Sequence, residues 1–578
     1  VLGGWALAAL VLLAAGWDAI VTRRFADADD AMRLLEVRDW LAGQGWFDVA
    51  QHRLNRGDFP MHWSRLVDLP LAATMLLLQP MLAATMAEHV ALVVVPLLTL
   101  LTVMALAASI ARRMGGDALV LPTLLMIGLA IPVTFQFAPM RIDHHGWQTV
   151  MALAAVRALL ASPTGRSGAA SGAALALLLT ISLEGLPIAA AIGAVAGLGW
   201  VVRPARGVQL RALLSTLAGV ALALHAATRG PGFWLAACDA MAPAWLGALV
   251  AAAIVLALAA GVERHGAGAR LVALGVAGAA AAATLVSIAP DCIAGPFGSL
   301  PPLVYRIWYL SVPEGRPWWE QELAAASSLI ALPLAGIFGG VLGWRSARGA
   351  ARERWAMLLV LVTTGLAIAI LVTRAGATAN ALAAPAAAVW LTALLTRARR
   401  VVRTAPRVGA TIMVLLLAAP GTLAGAVVLA LTPAKSVRAE QNRRPSCATA
   451  LDMRALGVLR PGIVFAPIDV TPALLVDTPH RAIAGGYHRG ATAIGRVLTG
   501  FIAAPDQARG VILASGADYL AVCPGMPEMS TYRTIAPGGL WARLERGERI
   551  DWLRPLPVRG PVLAWRVIHP LPEVRSAP

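Results

Sequence analysis

Acidic and imidazole side chains stand where several of this chain's apolar runs end. "DADDAMR" places Asp27, Asp29 and Asp30 directly after the first apolar run, with Arg33 six residues beyond Asp27. "RIDHHGWQ" sets Asp143, His144 and His145 together after the run "ALVLPTLLMIGLAIPVTFQFAP". Glu184 interrupts another apolar stretch, and Glu314 stands in "SVPEGRP". Carboxylates near a membrane boundary are costly unless they pair, bind a cation or face water. Carboxylate oxygens and imidazole nitrogens gathered from separate helix ends would suit Mg²⁺ or Mn²⁺. Each segment also has a plainer reading taken alone. An aspartate run caps a helix start, and a histidine can sit at an interface without binding anything.

The elements that must position these groups are membrane helices. The chain has 578 residues, 58% of them hydrophobic and only 14% charged, which excludes an ordinary soluble domain. A helix needs about 20 apolar residues to cross the hydrocarbon core. On that rule spans are expected near 4–22, 89–111, 118–138, 147–162, 168–183, 187–202, 211–228, 243–262, 270–288, 323–343, 356–373, 380–396 and 409–432, about thirteen in all. The first run shows no signal-peptidase site and is expected to remain as a span.

The formal net charge of +17 would point to nucleic acid in a soluble protein. Here the arginines fall in short segments between apolar runs, so the charge reads as topology and no nucleic-acid partner is expected. "ARRMGG", "SPTGRSG", "RPARGVQLR", "ERHGAGAR", "WRSARGAARERW" and "TRARRVVRTAPR" all fall on one side, which is then cytoplasmic. The opposite, outer side receives two loops, 23–88 and 289–322, and a tail. The expected division is a transmembrane domain over 1–432 and an outer soluble domain over 433–578. In the tail, "GIVFAPIDV", "GVILAS" and "DYLAVCPG" read as short strands of a small α/β domain. Cys238 and Cys292 fall in outer loops, Cys447 and Cys523 in the tail. An oxidising compartment would allow bridges Cys238–Cys292 and Cys447–Cys523, four free thiols being the alternative. No paired-cysteine zinc spacing occurs.

The order of the polar segments resembles the oligosaccharyltransferase catalytic subunit of archaea and bacteria. "DADDAMR" is similar to the D-P-x-x-x-x-R segment that opens that family's first outer loop, with Ala28 in place of the proline. "WFDVAQHRLNRGDFPMHWSRLVDLPLA" resembles the archaeal continuation of that loop. "RIDHHGWQ" resembles the V-D-H-H segment at the end of the third span, and "SVPEGRP" the S/T-I-x-E-x-x-P segment of a later loop. The resemblance covers about the first three-quarters of the chain and is most specific over 25–70, 141–146 and 311–317. It implies a mainly α, polytopic GT-C glycosyltransferase fold with its active site at the outer face of a bacterial inner membrane.

Carried over by position, Asp27, Asp143 and His145 would be metal ligands for Mn²⁺ or Mg²⁺. Asp29 and Asp30 compete with Asp27 for that place. Asp27 and Glu314 would contact or activate the acceptor. Arg374, in "VTRAGATANALAAP", resembles the arginine that holds the phosphate of a lipid-linked donor, an ordinary interfacial arginine being the alternative. The implied reaction moves a sugar or oligosaccharide from a polyprenyl phosphate or diphosphate to an envelope acceptor (a glycan, lipid or protein), with inversion at the anomeric centre implied by the family's manner. The family's W-W-D-Y-G acceptor segment has no full counterpart. "FAPIDVTPALLVDTPHRAIAGGYHRG" offers only Asp469, and the paired tryptophans of "RPWW" lie in another loop. His480, Tyr487, His488 and Arg489 are candidate acceptor contacts, or else a satisfied structural cluster. Two alternatives are protein N-glycosylation and a cation-coupled transporter or flippase. The second fits poorly with acidic groups that collect at one face instead of mid-span.

Overall fold

The computed structural model describes residues 1–431 and 446–569. The expected domain boundary at 432/433 lies outside the described residues. Among them, the chain forms two compact units. The first contains Val1–Arg23, Trp63–Pro296 and residues 312–431. The second contains Arg24–His62, Phe297–Ser311 and residues 446–569.

The first unit is helical and makes this a multi-pass membrane protein. Eight of its helices are long and apolar enough to cross a bilayer: Ala84–Gly115, Leu183–Val202, Pro204–Gly232, Pro243–Arg264, Ala267–Ile288, Leu323–Ser346, Gly349–Leu371 and Thr373–Arg399. Thr404–Leu416 and Pro420–Leu431 form one further pair, bent by 91° where Pro420 interrupts the expected span 409–432. Leu2–Ala15, Asp68–Leu78, Asp117–Leu129 and Gly165–Ile181 are shorter apolar helices. The expectation of about thirteen full spans therefore meets several that are cut short. The stretch 118–138 divides into Val120–Leu129 and Ile131–Phe135, because Pro132 lacks the N–H that a continuing helix needs. Gly165–Ile181 stops at the extended residue Ser182, whose hydroxyl accepts from Glu184 N at 3.3 Å. That break sets Glu184 in the turn Leu183–Gly185 that opens the span Leu183–Val202, between the two expected spans 168–183 and 187–202.

Small residues let these helices approach closely. A Cβ on Gly339 would fall 2.1 Å from the Ala386 carbonyl oxygen, and one on Gly172 would fall 2.2 Å from that of Leu213. Leu323–Ser346 thus packs directly on Gly376–Arg399, and Gly165–Ile181 on Gly207–Arg229. A disulfide joins Cys238 to Cys292 within this unit.

The second unit is a five-stranded mixed sheet with helices. Its strands are β1 (Ile463–Phe465), β2 (Arg481–Ala482), β3 (Tyr519–Val522), β4 (Leu553–Pro555) and β5 (Leu563–Val567), in the order β2-β1-β3-β5-β4. The β2-β1-β3 half is parallel and the other pairings are antiparallel. "GIVFAPIDV" and "DYLAVCPG" supply β1 and β3 as expected, but "GVILAS" is helical, within Pro505–Ala514. Its apolar run gives no strand alternation, and Pro505 at the first helical position favours a helix start. Residues 24–62 are bound into the same unit by arginine-to-carbonyl hydrogen bonds. Arg38 donates to Val476 O at 2.8 Å, Arg53 to His480 O at 2.6 Å and Arg56 to Ala514 O at 2.9 Å. Leu54 bridges to Ala482 at the sheet's edge, and Cys447 is bonded to Cys523.

A side chain at Gly339 cannot fit without moving the partner backbone. Gly339→Val should lower the melting temperature of the detergent-solubilised protein, by a strain cost of about 1–3 kcal/mol or more. Gly409→Val, at an open position, should leave it unchanged. Equal melting of the two variants would contradict the close packing.

Candidate functional site

The first unit gathers its polar side chains around Asp143. The chain reaches this residue through Met140, held at φ 71° in the left-handed region, with its N–H donating to Leu92 O at 2.9 Å. Asp143, His144 and His145 are all buried, and His145 opens the helix His145–Leu159. Asp143 Oδ1 accepts from His144 N at 2.6 Å and lies 2.5 Å from His144 Nδ1. Its other oxygen lies 2.5 Å from His145 Nδ1. The two imidazoles stack with centroids 4.3 Å apart. The Arg141 guanidinium stands over the Phe135 ring and 4.0 Å from Asp143 Oδ2. Burial alone would raise Asp143, but the charges and hydrogen bonds of His144 and His145 hold it well below the usual carboxylate range.

Glu184 closes the far side of the histidines. Its Oε2 lies 3.3 Å from His144 Nε2 and 3.4 Å from His145 Nε2. Its Oε1 pairs with Arg374. The second amino group of Arg374 is 3.6 Å from Glu314 Oε1. The "SVPEGRP" loop is held there by Thr373, whose hydroxyl donates to Glu314 O at 3.1 Å, and by Gln321, which donates to Pro313 O at 2.6 Å. Four turns or helix ends thus bring Asp143 and His145, Glu184, Glu314 and Arg374 into one network.

The donor atoms fit a divalent cation. One ligand atom each from Asp143, His144 and His145 lies within 4.8 Å of the others. His145 Nε2 is buried and makes no well-aligned hydrogen bond. A buried ring nitrogen of that kind, facing a carboxylate with a second imidazole beside it, is a metal-type donor set. Two participants stand outside the set expected from sequence. His144, absent from the ligand set that the resemblance implies, is a full member of the cluster. Glu184 carried one usable signal, a lone carboxylate interrupting an apolar stretch at the join of the expected spans 168–183 and 187–202.

The second unit holds the other expected residues. Asp27 caps the helix Ala28–Leu41, its Oδ1 accepting from Asp29 N at 3.1 Å. Asp30 is buried within that helix. Asp469 keeps contact with solvent, yet the protein crowded around it and the neighbouring Asp27 charge push it up to about 6. Glu528 accepts from Ile468 N at 2.8 Å and from Asp469 N at 2.9 Å, and shares a hydrogen bond with the Tyr532 hydroxyl. Burial, with Asp469 close by, pushes Glu528 up to about 8.

The "HRAIAGGYHRG" segment is more structural than expected. His480 is fully buried, with its Nδ1 accepting from Gly462 N at 3.2 Å and its Nε2 2.9 Å from Leu456 O. Both ring nitrogens are committed, so its proposed acceptor contact is withdrawn. Tyr487 is buried edge-on against Phe59, and Arg489 donates to Met61 O at 3.2 Å. His488 is partly exposed between His62 and Phe297.

No family model matches the sequence, and no curated protein does. Solved structures match by fold. The archaeal oligosaccharyltransferase AglB from Archaeoglobus fulgidus, in complex with an inhibitory peptide and a dolichol-phosphate, aligns with a TM-score of 0.67. It shares 13% identity over 93% of this chain and 71% of its own. The same organism's enzyme tethered to an acceptor peptide aligns at 0.63 and 13% identity, over 99% and 74% of the two chains. Its complex with zinc and sulfate aligns at 0.60 and 11% identity, over 90% and 67%. The chain has the fold of these oligosaccharyltransferase structures. At these identities the likeness is one of fold alone.

Glu528 gives the second unit a pH signature. Its carboxyl titrates near 8 in the fold against about 4.5 when unfolded, so the folded state holds the extra proton between those values. Stability should therefore fall as pH rises from about 4.5 to 8 and level off above that. Glu528→Gln should flatten the pH dependence of the melting temperature over that window. A wild-type melting temperature that rises through it would contradict the protonated carboxyl.

Proposed function

We propose that this chain is a GT-C membrane glycosyltransferase that moves a sugar or oligosaccharide from a polyprenyl phosphate or diphosphate to an envelope acceptor. The convergence of Asp143, His144, His145, Glu184, Glu314 and Arg374 within an oligosaccharyltransferase fold is the observation that carries this reading. The arginine-rich segments between the helices support a bacterial inner membrane with the cluster on the periplasmic side.

Asp143, His144 and His145 would hold the divalent cation, with Glu184 beside them. When bound, such a cation supplies positive charge for the phosphate oxygens from which the sugar departs. Two imidazoles favour Mn²⁺ over Mg²⁺, because magnesium prefers oxygen ligands and its own water. Arg374 offers the donor phosphate a fixed guanidinium charge. Its pairing with Glu184 and Glu314 ties that side chain to both carboxylates. Glu314, on the same arginine, would orient an acceptor hydroxyl or amide. Asp27 and Asp469, neighbours in the second unit, are the remaining carboxylates for the acceptor. A group titrating near 6 is suited to accept a proton from a nucleophile at neutral pH.

Asp143→Asn, which keeps the shape of the buried side chain, should abolish transfer from a radiolabelled polyprenyl-linked donor, by at least about 100-fold, while Asp143→Ala should lose transfer and also lower the melting temperature. Near-normal turnover would contradict the assignment. EDTA should inhibit the wild type, and Mn²⁺ should restore it better than Mg²⁺. Full activity after exhaustive chelation would overturn the metal-assisted reading. Glu184→Gln keeps the shape but removes the charge shared by Arg374 and the histidines. It should weaken Mn²⁺ binding by about 10- to 100-fold, read by titration calorimetry. Unchanged affinity would confine Glu184 to supporting Arg374.

A further inference from the structure

The helix that begins at His145 leads to a second polar site. Arg157 lies near its other end, about 18 Å along the axis at 1.5 Å per residue. There an open cavity of about 560 Å³ is lined by four arginines, Arg113, Arg157, Arg166 and Arg354, together with Thr164 and Ser167. No carboxylate lines it. The arginines arrive on four different elements. Arg113 and Arg157 lie at the C-terminal ends of Ala84–Gly115 and His145–Leu159. Arg166 lies in the first turn of Gly165–Ile181 and Arg354 in the second turn of Gly349–Leu371.

Basic residues on the inner side of membrane proteins ordinarily splay into water or toward lipid headgroups. Here they converge, and like charges that converge on one cavity repel unless an anion sits among them. Arg113 donates to the carbonyl of Arg157, and Arg157 to Ser109 Oγ at 2.7 Å, so both are fixed by neutral partners. Arg354 Nε is sealed from solvent and has no hydrogen-bond partner among the described residues. The start of Gly165–Ile181, whose cap residue Thr164 lines the cavity, adds the positive end of its dipole. Guanidinium forks with hydroxyls and helix N-termini are the chemistry that recognises phosphate.

We propose that this cavity binds a phosphate group at the membrane face opposite the Asp143 cluster. Two sources share that chemistry, the headgroup of an acidic phospholipid and a free phosphate of the cytoplasm. The cavity lies at helix ends, where both have access. This inference does not rest on the glycosyltransferase reading, since it uses none of the same residues.

The test uses the full-length protein in detergent micelles. Native mass spectrometry would count bound dioleoyl-phosphatidylglycerol against dioleoyl-phosphatidylcholine, and calorimetry would titrate inorganic phosphate. The variant Arg166→Gln/Arg354→Gln is compared with Arg348→Gln, which removes one charge just before the same helix but outside the cavity. The single Arg166→Gln, at an exposed position, guards against misfolding of the double variant, and melting curves accompany each protein. The double variant should lose at least tenfold affinity for a phosphate probe, the single variant part of it, and Arg348→Gln none. Loss confined to phosphatidylglycerol identifies a lipid headgroup site. Loss that includes inorganic phosphate identifies a site for the free group. Affinities unchanged in the double variant, or an equal loss in Arg348→Gln, would overturn the proposal.

Discussion

A buried carboxylate shared by two imidazoles organises the membrane unit. Asp143 has almost no contact with solvent, and a charge in that position is tolerated only with close partners of opposite or polar character. It finds them on the two residues that follow it, so the chain must turn there and start a helix at His145. The remote nitrogens of both rings are then directed together, and one carboxylate, Glu184, comes within 3.4 Å of each. Glu184 in turn faces Arg374, and Arg374 faces Glu314. Each charge in the series reduces the burial cost of the next, and removing a middle member would leave its neighbours uncompensated.

The surrounding helices serve this arrangement through where they stop. Ser182 is extended, which ends one apolar helix and puts Glu184 in a turn. Pro132 breaks the stretch that leads to Phe135 and Phe137, and Phe135 lies under Arg141. Thr373 and Gln321 fasten the "SVPEGRP" loop. Close glycine contacts such as that of Gly339 fix the helices that carry these ends. Site geometry in this unit is therefore a consequence of interruptions in apolar sequence, while the uninterrupted lengths supply the membrane anchor.

Much of this was legible in the sequence, for identifiable reasons. The spans, the α/β tail and the motif order rest on hydropathy and on polar residues at run ends, both local signals. Asp143, His145, Glu314 and Arg374 were named from those motifs and do meet within one unit. Glu184 escaped because a single carboxylate in an apolar window has no periodicity to reveal its neighbours, which lie 40 and 190 residues away. His144 was set aside because ring direction at a helix start cannot be read from order alone. His480 was overestimated: a histidine in a polar segment looks accessible, yet the fold of the second unit uses both its nitrogens. "GVILAS" misled for a similar reason, since a short apolar run fits strand and helix equally well.

Anomalous diffraction distinguishes a cation site at the Asp143 cluster from a purely hydrogen-bonded one. Crystals of the protein grown or soaked with Mn²⁺ and measured at the manganese absorption edge should show one strong peak within ligand distance of Asp143, His144 and His145. Glu184 should lie beside it, and the peak should vanish in Asp143→Ala. A well-ordered cluster with no peak, or a peak held by other residues, would contradict the account.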